Sequence, residues 1–63
     1  MTYGEMLERF DAIIRVMNKK QYISEEFYFV CANYERKSLV AEALKKGYKL
    51  EFTRNNFARF SRV

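Results

Sequence analysis

The sequence predicts a compact, mainly α domain: three helices in a helix-turn-helix-like arrangement, followed by a short C-terminal β-strand. Three observations predict it. A capped apolar stripe opens the chain, a second amphipathic segment ends at Gly47, and five residues after that glycine alternate between apolar and charged. The chain is 63 residues long, one small domain over 1–63. A domain of that size buries only about 60% of its unfolded surface, which leaves little room for an enclosed active site.

The first helix is the clearest element. Thr2-Tyr3-Gly4-Glu5 fits a capping box, a hydroxyl at the N-cap with a carboxylate three residues on. Met6, Leu7, Phe10, Ile13, Ile14 and Met17 then recur at spacings of three and four, predicting a helix from about Tyr3 to Asn18. Lys19 and Lys20 follow where the helix dipole favours cations. Gln21-Tyr22-Ile23 reads as a connector. From Ser24 the signals conflict. Ser24-Glu25-Glu26 has the chemistry of an N-cap and first turn, and Phe27, Val30, Cys31 and Tyr34 would share one helical face. The continuous run Phe27 to Ala32 also suits a buried strand. The helix is preferred because cap and pattern agree.

The phase of the apolar pattern breaks around Glu35-Arg36-Lys37, which predicts a turn. Ser38 to Gly47 is the third helix, with Leu39, Val40, Ala43 and Leu44 facing inward, Glu42 and Lys46 paired at i,i+4, and Gly47 at the C′ position. Tyr48 to Phe52 alternates with the period of a half-buried strand. Thr53 to Asn56 is a turn or a new cap, and Phe57 and Phe60 suggest a last helical turn packing back on the core. The alternative architecture is α+β, with strands near 27–32 and 48–52 bracketing the helix Ser38–Lys46.

Composition excludes whole classes of chemistry. The chain has no histidine, so it has no Ser-His or Cys-His nucleophile and no imidazole metal ligand. Its one cysteine, Cys31, forms neither an internal disulfide nor a zinc site and reads as a small buried apolar residue in a reducing cytoplasm. Glu25 and Glu26 are adjacent and do not form an acid–base pair in either a strand or a helix. The expectation is a non-enzymatic protein with no cofactor and no metal. The N-terminus lacks the basic and apolar regions of a signal peptide, and the longest apolar run is far short of the roughly 20 residues that cross a bilayer, so no membrane partner is expected.

Charge carries the functional signal. Residues 1–35 hold six acids and four bases, whereas residues 36–63 hold eight bases and two acids. That asymmetry points the second half toward a polyanion or an acidic protein surface. The candidate contact residues are Arg36, Lys37, Lys45, Lys46, Lys49, Arg54, Arg59 and Arg62. Arg54, Arg59 and Arg62 alternate with Phe57 and Phe60, a combination that can hold single strands by stacking and phosphate contacts. The predicted third helix carries Glu42 and few residues suited to reading bases, so a generic phosphate contact fits better than sequence readout. Five tyrosines are too many to bury here, and exposed aromatics mark interfaces. Tyr28, Phe29 and Tyr48 are the candidates for a protein interface. Either strand or helix leaves one of Tyr28 and Phe29 off the inner face.

Ser38-Leu39-Val40-Ala41-Glu42-Ala43, with Gly47 and a strand after it, resembles the third helix and following strand of small winged-helix-type regulators encoded by bacteriophages. The resemblance covers ten to fifteen residues, and the wing is truncated. It implies a phage or prophage setting and a regulatory role: transcription regulation by DNA binding, or host–virus interaction through a host protein such as the transcription machinery. The leading expectation is a small cytoplasmic regulator binding nucleic acid through its basic C-terminal half. The alternative is a modulator of an acidic host protein surface, and a homo-oligomer is compatible with either.

Overall fold

Thr2 and Glu5 start the first helix as the capping box predicts. In the computed structural model, which describes residues 2–63, the Glu5 amide donates to Thr2 Oγ1 (3.2 Å) and the Thr2 amide donates to Glu5 Oε1 (3.2 Å). Helix α1 runs Tyr3–Lys20, slightly past its predicted end, and Gln21 closes it with a left-handed φ of 54°. Its stripe is buried at Met6, Phe10, Ile13, Ile14 and Met17.

The second predicted helix is not there. Ser24–Tyr28 is strand β1, and a single 3-10 turn at Asn33–Glu35 leads into the next helix. The cap chemistry of Ser24 is diverted: its Oγ lies 3.0 Å from Ser61 Oγ on the neighbouring strand. The aromatic run beginning at Phe27 also suits a pleated surface better than a helix, because alternate residues go in and out of the core. Phe29 is thereby buried while Tyr28 is exposed.

Helix α2 spans Arg36–Lys45, starting where a turn was expected. Gly47 follows with φ 88°, a conformation that glycine adopts without the Cβ penalty. Strand β2 (Tyr48–Arg54) follows the predicted alternation, with Tyr48 and Leu50 inside and Lys49 and Glu51 outside. The expected last helical turn is instead a third strand, β3 (Phe57–Arg62), reached through a tight turn in which Asn56 takes a left-handed φ of 63°.

The sheet order is β1-β3-β2, with both outer strands antiparallel to β3. β1 and β2 therefore run parallel on either side of β3, and α2 joins them in a split βαβ unit. This is an α+β fold of two helices and a three-stranded antiparallel sheet, which overturns the mainly α three-helix reading. The α+β alternative has the right class, but it lacks β3 and displaces the first strand.

Both helices contribute to one core with one face of the sheet: Leu39 and Ala43 of α2, the α1 stripe, Phe29, Tyr48, Leu50, Ala58 and Phe60. Phe60, on the central strand, sits amid Phe10 (5.9 Å between centroids), Phe27 (5.9 Å) and Phe29 (6.3 Å). The strand alternation puts Ser24, Glu26, Tyr28, Lys49, Glu51, Phe57, Arg59 and Ser61 on the opposite face. Among the described residues no helix covers that face.

Candidate nucleic-acid interface

The topology determines which charges meet. α1 leads into β1 and α2 leads into β2, while β3 finishes beside the starts of both strands. The carboxyl ends of both helices thus lie at one end of the molecule. Backbone bonds tie that end together: the Arg62 amide donates to Ile23 O (2.8 Å) and the Val63 amide to Gly47 O (3.2 Å). The Tyr48 hydroxyl donates to Asn18 Oδ1 across the same end.

Lys45 and Lys46 are therefore brought to the same end as Lys19 and Lys20 of the acidic first half, and Lys49 lies at that end too, on the uncovered face of the sheet. Two acids touch this cluster. Glu42 holds Lys45 at 3.4 Å and Glu51 holds Lys49 at 3.5 Å, in pairs whose lysine side chains are 74% and 64% exposed. Solvent-exposed pairs of this kind are worth little, so neither lysine is lost to a phosphate. The cations also complement the negative ends of both helix dipoles.

Arg62 belongs to this end but is occupied. Its guanidinium donates to the α1 carbonyl of Met17 (2.9 Å) and to Tyr22 O (2.8 Å), and it lies 5.4 Å from the Tyr48 ring. It ties α1 to the sheet. Arg36 and Lys37 are at the other end of α2, apart from the lysine cluster. Arg36 stacks on Phe52 at 4.6 Å, while Lys37 is exposed.

The two remaining arginines occupy the uncovered sheet face. Arg59 is in its centre, in register with Glu26 and Glu51, and donates to Ser24 Oγ (3.3 Å). Arg54 lies over the Phe57 ring at 4.2 Å and bonds Glu26 at 3.2 Å. The Thr53 hydroxyl donates to Glu26 (2.6 Å), and that bond, helped by Arg54 and Arg59, holds the Glu26 carboxyl below the ordinary glutamate range. Tyr28 packs edge-on against Phe57 with centroids 5.6 Å apart.

The candidate aromatics separate cleanly. Tyr28 is 52% exposed on the open face, but Phe29 and Tyr48 are each 1% exposed, so the protein-interface reading of those two is corrected to a core role. Phe60 likewise is core, leaving Phe57 as the aromatic beside the arginines. Lys19 and Lys20 were missed as contact residues, because only the fold brings them to Lys45 and Lys46.

A cleft of about 470 Å³ lies between the start of α1 and the segment after β1, lined by Tyr3, Met6, Val30, Cys31 and Tyr34 among others. Burial pushes the Cys31 thiol above its ordinary value, which disfavours the nucleophilic thiolate. Among the described residues, no helix is long and apolar enough to cross a membrane. Comparison of the chain with family models, curated proteins and solved structures gives no match.

Proposed function

We propose that this chain is a small non-enzymatic regulator that binds nucleic acid, contacting phosphates through the basic end of the fold. The observation that carries the reading is the convergence of Lys19, Lys20, Lys45, Lys46 and Lys49 from both halves of the chain at the carboxyl ends of α1 and α2. Clustered lysines at one end of a small domain make a sequence-independent phosphate surface. The single, half-buried Cys31 suits a reducing cytoplasm.

A titration of labelled duplex and single strand against salt tests this. Neutralising about four phosphates gives a log–log slope near −3.6 on duplex and near −2.8 on a single strand. Replacing Lys45 and Lys46 together by alanine should bring the duplex slope to about −1.8. Unchanged affinity in that variant, or binding indifferent to salt, refutes the proposal.

A protein partner is the second reading, and the outward edge of β1, where Arg9 holds the Tyr28 carbonyl (2.9 Å) and the groups of Ser24 and Glu26 are open, favours it. Phe29 and Ile23 direct their backbone groups toward β3, so those of Ser24 and Glu26 point outward. Beside this edge a small groove is lined by Ala12, Ile13, Val16 and Phe27. Such an edge accepts an added strand. A complex that tolerates high salt and is lost when a proline replaces Glu26 would support it.

A further inference from the structure

We infer that the uncovered sheet face is a single-strand site in which Tyr28 is the platform for a base, an assignment that rests on the nucleic-acid reading and specifies its ligand. The face has three rows, and each crosses all three strands. The first is Tyr28–Phe57–Arg54, the second Glu26–Arg59–Glu51 and the third Ser24–Ser61–Lys49. Side chains two residues apart on a strand are separated by about 7 Å, so the rows span roughly 14 Å. The third row includes Lys49, which lies at the same end of the molecule as the lysines that close α1 and α2. A backbone held by those lysines is therefore led along the face past Arg59 to the aromatic row.

Charge along this path favours a polyanion. The two carboxylates are each held by a cation, Glu26 by Arg54 (3.2 Å) and Glu51 by Lys49 (3.5 Å), and Arg59 lies between them. The aromatic row is built to hold a ring still. The T-shaped contact with Phe57, at an interplanar angle of 84°, fixes the Tyr28 ring, while Arg54 covers the Phe57 face. Tyr28 keeps 52% of its surface open to solvent. A fixed, exposed ring beside arginine stacks any base, since every base has a π face. Bases inside a duplex are already stacked on one another, so this row discriminates for single strands.

The test uses a labelled oligothymidylate, a duplex of equal length and linear polyphosphate, which has the charge without bases. Tyr28→Ala should weaken oligothymidylate binding about tenfold or more, while leaving duplex and polyphosphate binding unchanged. Tyr28→Leu retains apolar packing on Phe57 and should show the same selective loss, so a folding defect in the alanine variant does not blur the result. Tyr28→Phe should bind as the parent does. The chain has no tryptophan, so Tyr28→Trp introduces a single reporter. Its fluorescence should be quenched by oligothymidylate and not by polyphosphate.

Salt-dependent binding of duplex and polyphosphate, with no preference for the single strand and no effect of Tyr28→Leu, overturns this inference alone and leaves the face to a protein partner. Absence of binding to all three probes overturns the nucleic-acid reading as well.

Discussion

Arg62 was a candidate for phosphate contact in the sequence and is a tie between α1 and the sheet in the structure, and the two roles make opposite predictions for Arg62→Ala. The side chain donates to the Met17 carbonyl in the last turn of α1 (2.9 Å) and to the Tyr22 carbonyl just beyond it (2.8 Å), and lies over the Tyr48 ring. A bond from a charged donor contributes about 1.5–3 kcal/mol when desolvated, but this side chain is partly exposed, so about 1 kcal/mol each is appropriate. The ring contact adds roughly 0.5 kcal/mol. The loss should be about 2–3 kcal/mol, against a total stability of about 3–9 kcal/mol for a chain of this length. At about 4–8 °C per kcal/mol, the melting midpoint should fall by roughly 10–20 °C. Thermal melts followed by far-UV circular dichroism measure this directly. Arg62→Lys should recover less than half, because an ammonium cannot span both carbonyls and stack at once. A variant within about 0.5 kcal/mol of the parent would refute the tie, since that is the scatter of an ordinary surface substitution.

Phe60→Ala removes the ring about which Phe10, Phe27 and Phe29 pack, and should cost about 3–5 kcal/mol, half or more of the chain's stability, read as a large drop in the urea midpoint. Lys19→Ala with Lys20→Ala should lower the duplex salt slope by about 1.8 if α1 shares the phosphate surface, although both residues lie outside the basic half. Glu5 and Glu26 are held below the ordinary glutamate value of 4.5, the first by Thr2 and the second chiefly by Thr53. Their folded-state values are depressed, so their contribution is present above pH 4.5 and is lost as pH falls through the folded values. Denaturant midpoints measured between pH 7 and pH 3 should hold down to about pH 4.5 and fall below it, and Thr53→Val should flatten that acid limb.

Local chemistry was legible where the fold agreed with it. Thr2 and Glu5 announce α1, Gly47 announces the end of α2, and the alternation after Gly47 announces β2, because each signal is satisfied by residues within a few positions. Ser24-Glu25-Glu26 carries an equally good local signal that the fold overrides, since Ser24 finds its partner 37 positions away at Ser61. β3 was the least legible element. Phe57 and Phe60 lie at a helical spacing, and the strand exists because β1 and β2 supply hydrogen bonds on both of its edges. The candidate site inherits this division. Lys45, Lys46 and Lys49 lie close in sequence and could be grouped from it. The union of Lys19 and Lys20 with them, and of Tyr28 with Phe57, depends on strand register. That one of Tyr28 and Phe29 must face outward was readable, but which one required knowing the sheet's covered face.

The central strand is the last of the three to be synthesised. β1 and β2 do not touch each other as neighbours in the sheet, so a nascent chain carrying both has no ladder until β3 clears the ribosome. Folding is therefore completed after translation of the whole segment, through contacts of long sequence separation that are slow to close. Before that point the first two strands present unpaired edges to whatever is nearby. A cut in the Asn55–Asn56 turn would part β3 from β2 covalently while leaving its place between them vacant for re-entry, so the two fragments should reassemble when mixed.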